Sequence, residues 1–460
     1  MLSTCLSIDT PKNRFEIILK ITKFASTIEK IRANFWFVPS LMVGMFLMVA
    51  ILAVYIDYHR LLPSFSFTNL LYKTDTAVIQ SLLGTMAAAM ITVTSIAFSI
   101  TIVSLTLASS QFGPRLMRNF MMDKSTQFVL GTFTSTFLFC LFIYCTLSFK
   151  DPYAYQPGLT ILIAVLLTCF SVGVLIFFIH HVAKSIQAEN VINDVYLELN
   201  ERVDQLFPNS QQTEPSNGNC APIELHDYNW EFEATAQDNG YIQIIVIDNL
   251  KELAEKLDLL IELHFVAGDF VVKGQVLATA YGKDIHTKTT QNIEPDLLSS
   301  IEMGPARTPS QDPVFAIHQL VEIALRALSP GINDPYTAIT CVEKLNAILC
   351  RLCTESFPVS QLQDAKGVVR IKRKVLTFTD LAGAAYDQIR QNSQQNVAVT
   401  LTIIKTLTAL MTFTKNPSQI EFVKGQCLLL MAQQKETKFV GADKTLIDDR
   451  LKYLQSLIMV

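Results

Sequence analysis

Between Ala77 and Gln111 the chain carries no charged side chain, yet it is rich in Ser and Thr. With Thr85 at the first position of a heptad, one stripe reads Thr85, Ala88, Thr92, Ser95, Ser99, Ile102, Thr106 and Ser109. That spacing keeps them on one helix face, and all but Ile102 are small or hydroxylated. Hydroxyl oxygens can take the place of water around an ion or polar solute, so Thr85, Thr92, Ser95, Ser99, Thr106 and Ser109 are candidate pore-lining residues. The plainer reading is helix–helix contact: small residues allow close approach, and Ser or Thr can bond its own helix one turn back. Charges flank the stretch. Asp75 would stand at one mouth and Arg115 and Arg118 at the other; their signs compete, so no cation or anion preference follows.

A second constellation lies in Gln311–Ala338, QDPVFAIHQLVEIALRALSPGINDPYTA. Asp312-Pro313 and Asp334-Pro335 each read as an N-cap followed by Pro at the first helical position. Ser329-Pro330-Gly331 ends the first helix, so the stretch is a helix, a sharp corner and a second helix. Glu322 and Arg326 are spaced to pair. Gln319, Arg326, Asn333 and Asp334 could converge there as a polar site. Asn and Asp at corners more often cap helices.

Other chemistry is thin. Cys350 and Cys353 form a lone C-x-x-C within an expected helix, with no second pair or nearby His, so no metal site is expected. His180 and His181 are helix neighbours pointing about 100° apart, a poor metal pair. G-x-S-x-G, H-E-x-x-H, Walker A and G-x-G-x-x-G motifs are all missing, which points away from an enzyme and from any cofactor.

The elements that would carry these residues follow from hydropathy. Half of the 460 residues are hydrophobic, and mean hydropathy is +0.32. A net charge of −4 gives no case for nucleic acid. Four apolar runs, near Trp36–Ile56, Leu82–Leu107, Val129–Phe149 and Leu159–Ile179, are each long enough to span a bilayer. None holds a charge at mid-depth, which argues against a proton relay or ion-coupled pump. Six Lys and Arg precede the first run; the next three loops hold two, three and one. The positive-inside rule then places both termini in the cytoplasm. Residues 11–35 read as a basic amphipathic helix suited to an anionic lipid surface. No signal peptide is visible, so the spans themselves are expected to direct targeting.

Residues 184–206 read as a helix leaving the fourth span, and Pro208–Pro222 as a flexible loop. An α+β domain follows. Gly240–Ile247 reads as a buried strand, and Asp248 as the N-cap of a helix over Asn249–Leu259. Leu259–Val266, Phe270–Ala280 and Val368–Phe378 read as strands, and Val397–Val460 as three helices.

Three pieces carry a resemblance to a known family: SIAFSITIVSLTLASSQFGPRLM (Ser95–Met117), Asp238–Leu277 with its GYIQ and GDFVVKGQVL, and the QDP…RALSPGINDP corner. In this order they resemble the bacterial predicted membrane proteins of domain-of-unknown-function family 2254. Where that family more often has Arg, this chain has His318. The resemblance implies an integral membrane protein with a soluble C-terminal domain and no established activity. Within it, Gly268–Leu277 resembles the turn-and-strand pattern of barrel-sandwich hybrid folds, read physically as a hairpin. The carrier motif of such folds is missing, so Lys273 is not a carrier lysine.

The expected fold is therefore a four-helix transmembrane domain plus a C-terminal cytoplasmic α+β domain with a small β module. The boundaries are 1–35 for the N-terminal helix, 36–183 for the spans and 184–222 for the extension and loop. Residues 223–300 form the α/β module and 301–460 a mainly helical domain. The expected function is a homo-oligomeric channel or pore lined by the second span and regulated by the cytoplasmic domain. The alternative is a membrane-anchored scaffold or signalling protein whose hydroxyl-rich helix is a packing interface.

Overall fold

A computed structural model describes residues 35–61, 75–121, 123–149, 155–207, 228–283, 287–437 and 439–459. Of the helix expected over 11–35, all but the last residue lies outside these, as do the Pro208–Pro222 loop, Lys73, Lys150 and Asp151-Pro152. The chain divides into two compact units, Met1–Gln187 and Ala188–Val460.

The first unit holds four helices long and apolar enough to cross a membrane: α1 (Phe37–Tyr58), α2 (Thr76–Phe112), α4 (Lys124–Thr146) and α5 (Leu159–Ser185). A short α3 (Met117–Met121) precedes α4. The α4 helix is the hub, packing on α1, α2 and α5. Apolar contacts hold both ends of the bundle. Ile79, Leu83, Phe139, Ile143 and Ile161 share one cluster. Ala97, Leu130, Phe133, Val174 and Phe178 share another. Between α1 and α4 the approach is close: a Cβ on Gly131 would lie 2.6 Å from Met42 Sδ and 3.2 Å from Pro39 Cα. Between α4 and α5 the hydroxyls of Thr136 and Ser171 meet at 3.1 Å, both buried.

The second apolar run forms a longer helix than its hydropathy suggests. Its 37 residues extend about 55 Å, well beyond a hydrocarbon core of about 30 Å. Its start is fixed by Asp75, whose side chain accepts from the Ala77 N–H, and its end by Gly113 at φ 110° followed by Pro114.

In the second unit α6 (Ala188–Leu206) packs on α9 (Pro313–Ala327) and α10 (Pro335–Leu352). Arg351 of α10 donates to Asn200 Oδ1 at 2.8 Å and pairs with Asp204 and Glu355. The expected continuous helix from span four is instead broken around Ile186-Gln187.

Two sheets form the β part. In the five-stranded sheet, β1 (Trp230–Thr235), β5 (Val276–Gly282), β3 (Leu259–Leu263), β8 (Val369–Arg373) and β7 (Gln361–Gln363) lie in that order. Only β3–β8 is parallel among these pairs. The three-stranded sheet runs β4 (Phe270–Val271), β2 (Gly240–Ile245), β6 (Ile301–Gly304). Helices α7 (Ile247–Lys256) and α8 (Thr287–Ser299) flank the strands. After α10 come α11 (Phe378–Asn392) and the three C-terminal helices α12 (Val397–Met411), α13 (Pro417–Glu436) and α14 (Gly441–Ile458).

Three local expectations are corrected. Asp248 is not an N-cap: α7 starts at Ile247, with Val246 as its uncapped boundary. Asp248 instead sits in the first turn, where a carboxylate suits the helix dipole. The strand expected over Leu259–Val266 ends at Leu263. The expected single strand over Phe270–Ala280, and the hairpin read into it, are two strands in different sheets. Gly274 takes φ 85°, the Gln275 N–H closes a turn on Val272 O at 2.9 Å, and the chain passes from β4 beside β2 to β5 beside β1 and β3.

Candidate functional site

The α2 helix presents three faces. Ile79, Leu83, Ala87, Met90, Thr94 and Ala97 are buried against the bundle. Val78, Leu82, Ile96, Ile100, Val103 and Leu107 make an exposed apolar face. The third face is the hydroxyl ribbon: Thr85, Ala88, Thr92, Ser95, Ser99, Ile102 and Thr106 are all exposed, and Ser109 is half-buried. Steps of about 100° per residue separate the three. The ribbon is thus brought together as one continuous strip that the other spans of its own chain leave uncovered.

Five of the six ribbon hydroxyls bond a backbone carbonyl one turn back. Thr85 donates to Ser81 O at 2.9 Å, Thr92 to Ala88 O at 2.8 Å, Ser95 to Ile91 O, Ser99 to Ser95 O and Thr106 to Ile102 O, each at 2.9 Å. A hydroxyl has one proton to give and two lone pairs. With the proton committed to the helix backbone, each side chain turns acceptor capacity outward. The strip is therefore a row of oxygen acceptors, polar toward donors and cations and neutral in charge.

The charges expected to flank a pore lie at or beyond opposite ends of α2. Asp75 is exposed and caps the first turn through the Ala77 N–H at 3.1 Å. Arg115 is exposed in the 3-10 turn Pro114–Leu116. Arg118 belongs to α3, with its side chain outside the described ones.

Two carboxylates at the span ends escaped the sequence reading. Asp57, 1% exposed near the end of α1, accepts from the N–H groups of Gly158, Leu159 and Thr160 and from Thr160 Oγ1, at 2.9–3.1 Å. It closes the N-terminus of α5, whose first N–H groups have no partner within the helix. At the other end of the bundle, Asp123 caps α4 through the Ser125 and Thr126 N–H groups and takes the Thr126 hydroxyl at 2.6 Å. His181 Nε2 lies 2.7 Å from the same carboxylate. Burial alone would lift the Asp123 carboxyl, but the Thr126 and His181 bonds outweigh it and hold the group below its ordinary value. An N-cap at Asp123 was readable from Asp followed by Lys-Ser-Thr. Its bond to His181 was not, and neither was the reach of Asp57 to a helix about a hundred residues away.

In the second unit the polar corner is built as a set of caps. Asp312 Oδ1 accepts from the Phe315 N–H at 3.0 Å, and Arg307 grips Oδ2 at 2.6–2.7 Å. Burial raises the Asp312 carboxyl against the pull of Arg307. Gln311 clamps β2, accepting from the Ile245 N–H at 2.9 Å and donating to Ile245 O at 3.2 Å. Asn333 takes φ 49° to turn the corner. Asp334 accepts from the Thr337 N–H and hydroxyl, which hold its carboxyl below the usual range. Arg326 stands 3.6 Å from Glu322. Gln319 is buried on α9, and its Oε1 has no partner among the described residues. Asn333 and Asp334 are thus occupied in shaping and capping the corner.

The remaining candidates also have local roles. Burial pushes the Cys353 thiol up to about 12 and raises Cys350 too, so both stay protonated and unreactive at neutral pH. The Lys273 N–H donates to Asn239 Oδ1 at 2.8 Å in the turn between β4 and β5.

Comparison with known proteins places this architecture. The family described as predicted membrane protein, domain-of-unknown-function family 2254, matches residues 32–409, and the chain belongs to it. An uncharacterized protein of Mycobacterium bovis is 31% identical over 367 residues, covering 78% of this chain and 68% of the relative. Two uncharacterized proteins of Mycobacterium tuberculosis match over the same coverage at 31% and 30% identity. No solved structure matches this chain.

Proposed function

We propose that this membrane protein assembles with copies of itself along the α2 ribbon, and that the gathered ribbons line a channel for small cations or neutral polar solutes. One observation supports this most directly: the strip of acceptors is exposed beside a separate apolar face on the same helix. The apolar face suits acyl chains. Small residues and outward lone pairs suit either a neighbouring backbone at close range or hydrated ions. Rows of neutral acceptors favour cations over anions, which the competing signs of Asp75, Arg115 and Arg118 left undecided. In this reading the protein is not an enzyme. It sits in a bacterial inner membrane with the second unit in the cytoplasm, where that unit regulates the conduit.

A second reading has its own support. Because five of the six ribbon hydroxyls already bond their own helix, they need no water, and the strip could serve only as a packing seam in a scaffold or signalling protein. Reconstitution of the purified protein with Ser99→Leu and Thr106→Leu separates the two. Ion flux lost with the oligomer intact supports the conduit. Loss of the oligomer supports the seam. Unchanged flux and assembly overturn both.

A further inference from the structure

In the second unit, α13 presents amides inward and leucines outward. Gln419, Gln426 and Gln434 on its buried side are 2%, 4% and 6% exposed. Gln426 is held there by Arg390 Nε, which donates to it at 3.0 Å, and by Asp387 Oδ1, which accepts from it at 2.7 Å. Leu428 and Leu429 on the outer side are 55% and 46% exposed. Single exposed apolar side chains are ordinary on a protein surface. These two belong to a pattern. Glu421, Gly425, Leu428, Ala432 and Lys435 follow one another at alternating steps of four and three residues, with Leu429 alongside. That is the spacing of a helix face that meets another helix.

Gly425 is not explained by its own chain. It lies inside α13, where glycine is less favourable than any residue but proline. A Cβ there would meet nothing within 4 Å, so no neighbour in the same chain requires its absence. The missing side chain leaves a hollow, and Ala432 leaves a second one two turns along the same face. The leucines stand between the two. Helices with such alternation approach closely, ridges of one entering hollows of the other. The ends of the stripe select the direction. A parallel pair would oppose Glu421 to the partner's Glu421 and Lys435 to the partner's Lys435. An antiparallel pair brings Gly425 against the partner's Ala432, Leu428 beside the partner's Leu429 and Glu421 toward the partner's Lys435. Glu421 also lies 3.7 Å from Lys424 on its own helix, and a carboxylate has two oxygens with which to take both lysines.

The face is thus complementary to itself. We propose that the outer face of α13 pairs with the same face of a second copy of this chain, antiparallel, about a two-fold axis beside Leu428 and Leu429. Such a contact is isologous and closes as a dimer. It joins two second units and does not rest on the α2 ribbon. An anionic lipid surface would call for an excess of cations beside the leucines. Here Glu421 and Glu436 balance Lys424 and Lys435.

The test uses the full chain in native membranes, cleared of its native cysteines, with two differently tagged copies expressed together. One copy carries Glu421→Cys and the other Lys435→Cys. The expected result is an oxidative crosslink between the two copies, and little product when either variant is expressed alone. Leu428→Cys should crosslink to itself. Gly425→Leu meets nothing in its own chain and favours the helix, so the thermal melt should hold or rise while the mixed crosslinking rate falls at least about tenfold. A folded protein with no mixed crosslink would overturn the proposal. So would Glu421→Cys and Lys435→Cys each crosslinking only to itself, which is the parallel arrangement, or an unchanged rate in Gly425→Leu. The mixed crosslink should persist in Ser99→Leu with Thr106→Leu; its loss there would overturn a contact that stands apart from α2.

Discussion

Replacing Asp57 by Ala should loosen the membrane unit at one end. The carboxylate satisfies three backbone N–H groups and one hydroxyl at the start of α5, from a side chain on α1 that is almost fully buried. Each buried donor left without a partner costs about 1–3 kcal/mol. Thr160 can rotate its hydroxyl elsewhere, and water can reach a helix end, so the four costs do not add in full. A loss of about 3–5 kcal/mol is expected for Asp57→Ala, in the range seen when one member of a buried charged network is removed. Asp57→Asn keeps an acceptor oxygen but turns an amide N–H₂ toward donors, and should cost about 2 kcal/mol or more. Asp75→Ala removes an exposed cap from α2 and is the control, expected near 1 kcal/mol. Equilibrium unfolding of the purified protein in mixed micelles, followed by circular dichroism, gives all three. An Asp57→Ala loss no larger than that of the Asp75 control would refute the reasoning that this carboxylate ties α1 to α5.

Other outcomes follow from the same physics. The Asp123 carboxyl is lowered in the folded state, so its contribution is complete above its unfolded value near 3.8 and is lost as pH falls through the folded value. His181→Phe removes one cause of the lowering and should move the acid-side loss of stability to higher pH in a pH-resolved melt. Gly268 has φ 97°, and a Cβ there would collide with the Asp312 carboxylate. Gly268→Ala should destabilise the second unit by about 2–4 kcal/mol in a denaturant titration. Asn333 at φ 49° should accept Gly within about 0.5 kcal/mol, whereas Asn333→Val should cost about 1–2 kcal/mol; a large loss in Asn333→Gly would mean the amide itself does work at the corner.

Local chemistry was readable from the sequence, and long-range closure was not. The four apolar runs, the Asp312-Pro313 and Asp334-Pro335 caps and the α2 stripe each depend on residues within a few turns of one another, and each takes the expected local form. The clasp of Asp57 on Thr160 and the pair of Asp123 with His181 join segments whose separation carries no periodic signal. Phe270–Ala280 misled because alternation continues through a turn that only the positive φ of Gly274 reveals. The parallel β3–β8 pair was beyond the sequence for another reason, since the helices α9 and α10 lie between its strands in the chain. The outward aim of the ribbon was also beyond the sequence: its periodicity defines a face but not which way that face turns.

The α2 ribbon as a self-association surface can be tested most directly by single-cysteine crosslinking in native membranes, in a background cleared of the native cysteines. Ser99→Cys and Thr106→Cys lie on the ribbon, and Ile100→Cys lies on the apolar face. The account predicts dimers and higher species from the two ribbon positions and monomer from Ile100→Cys. Crosslinks at Ile100 with none at Ser99 or Thr106 would contradict it.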